Sequence, residues 1–469
     1  MKKRPYIFIL TLFMAWQVQA QELIKGHLPG HAREPVSLSG YRGFESTRIA
    51  ETTVDSLGNF SFASPVDYEG VAFLQLNKTN GIEVLLNRSK SFTIKGSSIG
   101  DIDSLTCENN PETNTLYTYY KQQVAREKAL SGWKYLQMVY KEIPYLKEFD
   151  KTGLLDAEIR SLEKEGTNFI KEQPEGSYLA WYLPLVSLAR DIPVTLQRYP
   201  ERIPRHIDLF MNTDFGDGRF YHSGLLSLVL KNYYFMLENM GKPLDSVYVE
   251  MNKATDHVLE TMKDKKPEWL QETSLFLFNL FEQRSLFPAA EHLSLAMLSQ
   301  NSCTLDSKIQ NRFEGYRAMK RGKQAPDIDF SPAIAGYMES SGNGFDNYLK
   351  GYSSLSEIGS KYKLVIFGSA GCPGCKEQLP EIKEMYPEIE KHDMEVVYIS
   401  LDATKNDFEK EAAGSPWVSY FDSGGWDSRP VVDYHVFATP TMYLLDKNLD
   451  ILNKIVSPGH LEAIMRILK

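Results

Sequence analysis

The tightest constraint on what this chain can fold into lies at residues 363–380. Lys363-Leu364-Val365-Ile366-Phe367 is an apolar, β-branched run, which reads as a central strand buried on both faces. It ends in Gly368-Ser369-Ala370-Gly371. Cys372-Pro373-Gly374-Cys375-Lys376-Glu377-Gln378-Leu379-Pro380 then opens a helix expected to kink at Pro380. A strand feeding straight into a helix puts Cys372 at the helix N-terminus. There, exposed backbone N–H groups and the positive end of the helix dipole favour the thiolate, which is the reactive form of cysteine. Cys375 follows one helical turn later, close enough to attack a mixed disulfide made by Cys372 and release the partner reduced. Cys372 is therefore the expected nucleophile and Cys375 the expected resolving thiol. The Pro373-Gly374 spacer carries no basic or aromatic group, so the redox potential is not readable from it.

Downstream, Met394 to Asp402 reads as a second buried strand and Lys405 to Ala412 as a helical or turn segment. Pro440 to Leu445 and Asp450 to Val456 read as a hairpin around Asp446-Lys447-Asn448, and Gly459 to Lys469 as an amphipathic closing helix. This order is a β-α-β half followed by a β-hairpin and a helix. The stretch from about Ala325 to Lys469 resembles the thioredoxin superfamily, and within it the exported TlpA/ResA-like thiol-disulfide oxidoreductases. The resemblance is carried by Tyr352-Ser353-Ser354-Leu355-Ser356-Glu357, by the C-P-G-C helix start with Leu379-Pro380, and by Tyr434-His435-Val436-Phe437-Ala438-Thr439-Pro440-Thr441-Met442-Tyr443-Leu444-Leu445-Asp446. It implies an α/β thioredoxin-like fold over roughly a third of the chain, an ordinary domain length. It further implies a cis bond before Pro440 beside the redox pair, with the backbone of Thr439 pairing with an extended partner chain.

Other family positions differ. Gly371 stands where a tryptophan usually precedes the first cysteine, Ile366 where thioredoxin has a buried acid, and Gln378 where ResA-like proteins often carry glutamate. Proton transfer at Cys375 thus lacks its usual carboxylate. Glu377 is adjacent in sequence, but one residue around a helix is about 100° away. His435, five residues before Pro440, is a candidate for tuning the thiols, against the commoner reading of an exposed or packed imidazole.

Other chemistries fit the cysteine pair less well. A zinc site needs two more ligands, and Cys107 and Cys303 do not form a second pair. A peroxiredoxin-like thiol peroxidase would place Ser369 three residues before Cys372, but Val365 stands where its loop needs proline. A non-catalytic module could hold peptides along the Thr439-Pro440 edge by strand addition. No metal and no cofactor are expected.

The front of the chain is of a different texture. From about Glu22 to Leu105, short alternating runs (Val36-Ser37-Leu38, Phe60-Ser61-Phe62, Val71 to Leu76, Ile82 to Leu86, Phe92-Thr93-Ile94) are separated by turn residues. They read as an antiparallel β-sandwich or small barrel. Ser56-Leu57-Gly58-Asn59 reads as a hairpin turn. From Pro111 to Gly322, apolar positions at three-to-four spacing, as in Thr115 to Val139, Leu154 to Glu172 and Thr255 to Lys263, argue for an all-α region. Its dense rings, among them Tyr117, Tyr182, Tyr233 and Tyr234, read as helix-packing core rather than as a ligand groove. Histidines 206, 222, 257 and 292 lack metal-ligand spacing. Gly322 to Ser354 is turn-rich and reads as a linker. The expected divisions are 1–20 signal peptide, 21–106 β-sandwich-like module, 107–322 helical domain and 323–469 thioredoxin-like domain.

Lys2-Lys3-Arg4, the apolar stretch Tyr6 to Val18 and Val18-Gln19-Ala20 form a signal peptide with a mature start near Gln21. The alternative is a membrane tether through an uncleaved signal. No later apolar run reaches the ~18 residues of a spanning helix. Export to a bacterial periplasm follows as an expectation. The net charge of −9 disfavours nucleic acid as a main partner. The expected partners are disulfide-containing exported proteins and a membrane thiol electron donor. The four cysteines are too few for a disulfide scaffold. Cys107 and Cys303 read as two buried thiols or a bridge between modules.

Overall fold

The computed structural model describes residues 23–63, 68–76, 81–87, 91–143, 152–301, 305–331, 334–336, 352–412 and 414–468. The segment read as a signal peptide and Cys303 lie outside them. The chain divides into two compact units, Met1–Met236 and Leu237–Lys469. The divisions at 106 and 322 remain proposals of a finer kind.

The first unit opens with β1 (Leu23–His27), β2 (Pro35–Arg42), β3 (Glu45–Thr53), β4 (Asn59–Ala63), β5 (Gly70–Gln75), β6 (Gly81–Leu86), β7 (Phe92–Lys95) and β8 (Thr106–Glu108). They make two four-stranded sheets in the orders β4-β1-β7-β8 and β3-β2-β5-β6. Ile24, Phe62 and Ile94 of one sheet and Leu38, Leu74 and Val84 of the other enter a single buried cluster, the two-layer core that period-two alternation calls for. The all-antiparallel expectation needs a correction, because β1 pairs parallel with β7 while pairing antiparallel with β4. Alternation decides which face a residue takes, not the direction of its neighbour strand.

Helices follow: α1 (Pro111–Glu142), α2 (Thr152–Lys171), α3 (Tyr178–Arg198), α4 (Ile203–Met211) and α5 (Leu225–Asn239), within which the division at 236 falls. Asn110 caps α1 by accepting the Thr113 N–H at 3.1 Å and donates to the Leu85 carbonyl at 2.7 Å, which stitches the helix start to β6. Tyr117, Tyr182, Tyr233 and Tyr234 are all buried, and Phe210 stacks on Tyr233 at 3.6 Å between centroids. The rings pack the helices. Buried His206 shares a 3.0 Å hydrogen bond with the Thr195 hydroxyl. Burial first, then the charges of Arg205 and Arg202, lowers its pKa to about 4.

The second unit contains α6 (Leu244–Met262), α7 (Pro267–Gln283), α8 (Phe287–Asn301) and α9 (Ser307–Ala318). After them come β9 (Ile334–Gly336), β10 (Tyr362–Gly368), α10 (Pro373–Lys391), β11 (Met394–Ser400), α11 (Lys405–Ala412), β12 (Val418–Phe421), α12 (Arg429–Asp433), β13 (Thr441–Asp446), β14 (Ile451–Ile455) and α13 (Pro458–Met465). One six-stranded sheet runs β14-β13-β10-β11-β12-β9. β10, β11 and β12 are mutually parallel, and β13, β14 and β9 join antiparallel. Alternate residues of β10 enter different clusters: Val365 and Phe367 on one face, Leu364 and Ile366 on the other. Burial on both faces is why the run is continuously apolar.

The reading of residues 322–354 as a linker is corrected where the segment is described. Gly322 and Ala325 donate their N–H groups to the carbonyls of Ile451 and Leu449, each at 2.8 Å. Ala325, Ile328 and Phe330 are buried in the same cluster as Val365. Turn-forming residues set the local chain direction there, while three spaced apolar side chains fix the segment to the sheet. Among the described residues no helix is long and apolar enough to cross a membrane.

Candidate functional site

β10 ends at Gly368, and the Leu401 N–H donates to its carbonyl at 2.8 Å. The loop that follows is fixed by Asp402, a buried carboxylate just beyond β11. Its Oδ1 accepts the Ala370 N–H at 2.9 Å and its Oδ2 the Ser400 hydroxyl at 2.8 Å. The Cys372 N–H donates to the Ser369 carbonyl at 3.0 Å, and the Lys376 N–H makes the first helical bond, to the Cys372 carbonyl at 3.2 Å.

Cys372 is thus the N-cap of α10, with Pro373 at the first helical position, where its missing N–H leaves no bond unmade. The sulfur does what a serine or aspartate oxygen does at other helix starts: it accepts an orphan N–H, here that of Cys375 at 3.1 Å. The helix continues through Pro380 and Pro387 to Lys391.

The two thiols differ in their surroundings. Cys372 retains 6% exposure and Cys375 none. Burial pushes the Cys375 thiol up, and its hydrogen bond to Cys372 adds to that by holding the proton on Cys375. The Ser369 backbone and the Thr439 side chain act the other way. Both cysteines are free thiols. The arrangement is a dithiol with one sulfur at a helix N-terminus and a protonated partner behind it.

The other anticipated residues fall as follows. The Thr439-Pro440 bond is cis. A Cβ on Gly374 would lie 3.1 Å from Pro440 Cδ, so the spacer between the thiols backs directly onto that proline. At Gly371 a Cβ would meet nothing within 4 Å, so there is open space beside the backbone where a tryptophan was expected from the resemblance. Glu377 is exposed. The Gln378 Oε1 is buried without a hydrogen-bond partner among the described residues. His435 is half-buried at a left-handed φ of 49° and faces Gly315 of α9. Burial lowers its pKa, while Asp433 and Glu314 pull it the other way.

Three groups around the end of β10 and the loop to α10 were not anticipated. The Tyr398 hydroxyl and the Cys375 sulfur both lie within 3.3 Å of where a Gly368 Cβ would stand, and that hydroxyl has no hydrogen-bond partner among the described residues. Burial, then Asp402, Glu411 and the two thiols, pushes the phenol up. The half-buried Glu411 is raised by burial and by Asp402, against the lowering effect of Lys376. Asp402 itself holds the loop. The usable signal was position, since functional groups in open α/β sheets gather at the carboxyl ends of strands. Among the described residues no three His, Cys, Asp or Glu side chains come together as a metal site. Cys107 is a free buried thiol.

Residues 359–451 match a family model described as thioredoxin-like. No curated protein matches the chain. A solved thioredoxin-like protein from Bacteroides caccae aligns with 57% of this chain and 94% of its own at 17% identity and a TM-score of 0.41. The thioredoxin domain of a thiol-disulfide oxidoreductase from Bacteroides vulgatus covers 32% of this chain and 99% of its own, at 23% identity and a TM-score of 0.26. A thiol:disulfide interchange protein from Bacteroides sp. covers 32% and 91%, at 22% identity and a TM-score of 0.25.

Proposed function

We propose that the thioredoxin-like C-terminal domain makes this chain a thiol-disulfide oxidoreductase, acting outside the cytoplasm as a reductase of disulfides in exported proteins. The observation that carries the reading is the N-cap geometry: the Cys372 sulfur accepts the Cys375 N–H at 3.1 Å at the start of α10, with a fully buried thiol behind it. Backbone donors aimed at a sulfur favour its thiolate.

In the first step the Cys372 thiolate attacks one sulfur of a client disulfide. The client S–S bond breaks, a Cys372–client disulfide forms, and the departing client sulfur takes up a proton. In the second, Cys375 loses its proton and attacks the Cys372 sulfur, and the second client sulfur leaves and is protonated. The client gains two electrons and the dithiol becomes a disulfide. The Cys375 proton passes to solvent as the resolving sulfur attacks. Return to the dithiol requires two electrons and two protons from a membrane thiol carrier. The cis Thr439-Pro440 edge supports docking of an extended client segment beside the sulfurs, and the signal-like residues 1–20 support export to a periplasm.

The reading is tested by the reduction potential and by insulin-reduction turnover of wild type and Cys372→Ser. Turnover by wild type and none by the variant is the expected result. A folded wild-type dithiol without turnover would instead favour a peptide-binding module.

A further inference from the structure

In the second unit, α9 touches the loop that leads into the cis peptide. A Cβ on Gly315 would lie 2.8 Å from His435 Cβ and 3.0 Å from Phe437 Cε2. Carbons do not approach so closely, so glycine is what lets the helix come this near. Glycine inside a helix costs about 1 kcal/mol relative to alanine, and the close approach accounts for its presence.

Both sides of this contact are held. On the helix side, Tyr316 donates its hydroxyl to Glu282 of α7. Lys454 of β14 lies 3.4 Å from the same hydroxyl and 3.7 Å from Glu282, with its ammonium over the rings of Phe287 and Tyr316. Just past α9, Met319 joins the core cluster of the sheet. On the loop side, His435 takes a left-handed φ, Val436 is buried, and the Tyr434 hydroxyl donates to the Pro326 carbonyl at 2.7 Å. Only Ala438 separates Phe437 from Thr439, and the proline bonded to Thr439 lies against the Gly374 spacer between the two thiols. A shift at His435 has little slack through which to dissipate before it reaches the cis peptide.

We propose that α9 is a positioning element for client recognition: by seating Gly315 against His435 and Phe437, it sets where the Thr439-Pro440 edge stands relative to the dithiol. This rests on the oxidoreductase reading and adds to it a second segment that governs how an extended, disulfide-bearing polypeptide is admitted. Small disulfides, which need only the sulfurs, do not depend on it.

The test compares insulin with Ellman's disulfide on the full chain. Gly315→Ala lowers kcat/KM for insulin about tenfold, mostly through KM, because misplacing a recognition edge by a fraction of an ångström weakens every contact along it. Reduction of Ellman's disulfide stays within about twofold of wild type. His435→Gly removes the nearer of the two carbons that the new methyl meets and accepts the left-handed φ, leaving only the exposed Phe437 ring, which can turn aside, so Gly315→Ala/His435→Gly restores insulin turnover. Should Gly315→Ala not fold, Tyr316→Phe loosens the pin on α9 without added volume and carries the same selective loss. Equal loss on both substrates, no loss, or no rescue overturns the inference. A wild type that reduces neither disulfide overturns the oxidoreductase reading itself, a distinct outcome.

Discussion

Cys107 of the first unit and Cys372 of the second are the same residue with similar exposure, 2% and 6%, yet their backbones surround them differently, and the proposed chemistry rests on that difference. Cys107 lies in β8, opposite Ile94. Its N–H donates to Asn114 Oδ1 at 2.7 Å, and its carbonyl accepts from Asn114 Nδ2 at 2.8 Å. Among the described residues its sulfur has one hydrogen-bonding contact, with the Tyr117 hydroxyl at 3.9 Å, and burial pushes the thiol up to about 12. Cys372 begins a helix, where amides have no carbonyl one turn back to bond, and its sulfur accepts one of them. Burial alone therefore says little about a thiol. On the proposed reading, what decides its reactivity is whether the surrounding backbone still has donors to offer.

The comparison breaks most visibly by mutation. Cys372→Ser lowers insulin turnover by about three orders of magnitude or more, while Cys107→Ala stays within about twofold of wild type. Equal losses would mean that the helix start confers nothing. Alkylation of the folded, reduced chain with iodoacetamide at pH 7, mapped by mass spectrometry, sharpens the contrast. Cys372 is modified first and Cys107 at least about 100-fold more slowly, and the gap closes in denaturant. A smaller effect isolates burial from backbone donors. His206 is held neutral, its pKa lowered to about 4, so it has no effect on stability above the unfolded value near 6.5. Below that value the unfolded state binds a proton that the folded state refuses, and stability falls as pH falls toward 4. Urea unfolding at pH 7 and pH 4.5 should show roughly 2–3 kcal/mol lost on this account, and His206→Gln should lose correspondingly less.

The parts of the molecule that could be read in advance are those where one local pattern has one physical outcome. The apolar run at 363–367 had to be a strand buried on both faces, and a cysteine between it and Pro373 had to stand at a helix start; β10 and α10 bear this out. β12 escaped because Val418–Phe421 is short and buried at all four positions, so it shows none of the alternation that made the equally short β7 legible. The resemblance took in residues from about Ala325 onward, yet the packing of 322–331 on the sheet escaped, because their turn-forming residues outweighed the spacing of Ala325, Ile328 and Phe330. The parallel β1–β7 pair and the place of His435 against α9 depend on contacts distant in sequence. Gly315 did leave a local trace, since a lone glycine within a helical pattern commonly marks a close packing contact.

The most direct test of the central claim is the identity of the sulfur that carries the client. Reduced Cys375→Ser and Cys372→Ser chains are each incubated with oxidised insulin, quenched with acid and mapped by mass spectrometry. The N-cap account predicts a trapped mixed disulfide on Cys372 in the first variant and little or none on Cys375 in the second. Efficient trapping on Cys375 with Cys372 replaced would contradict it.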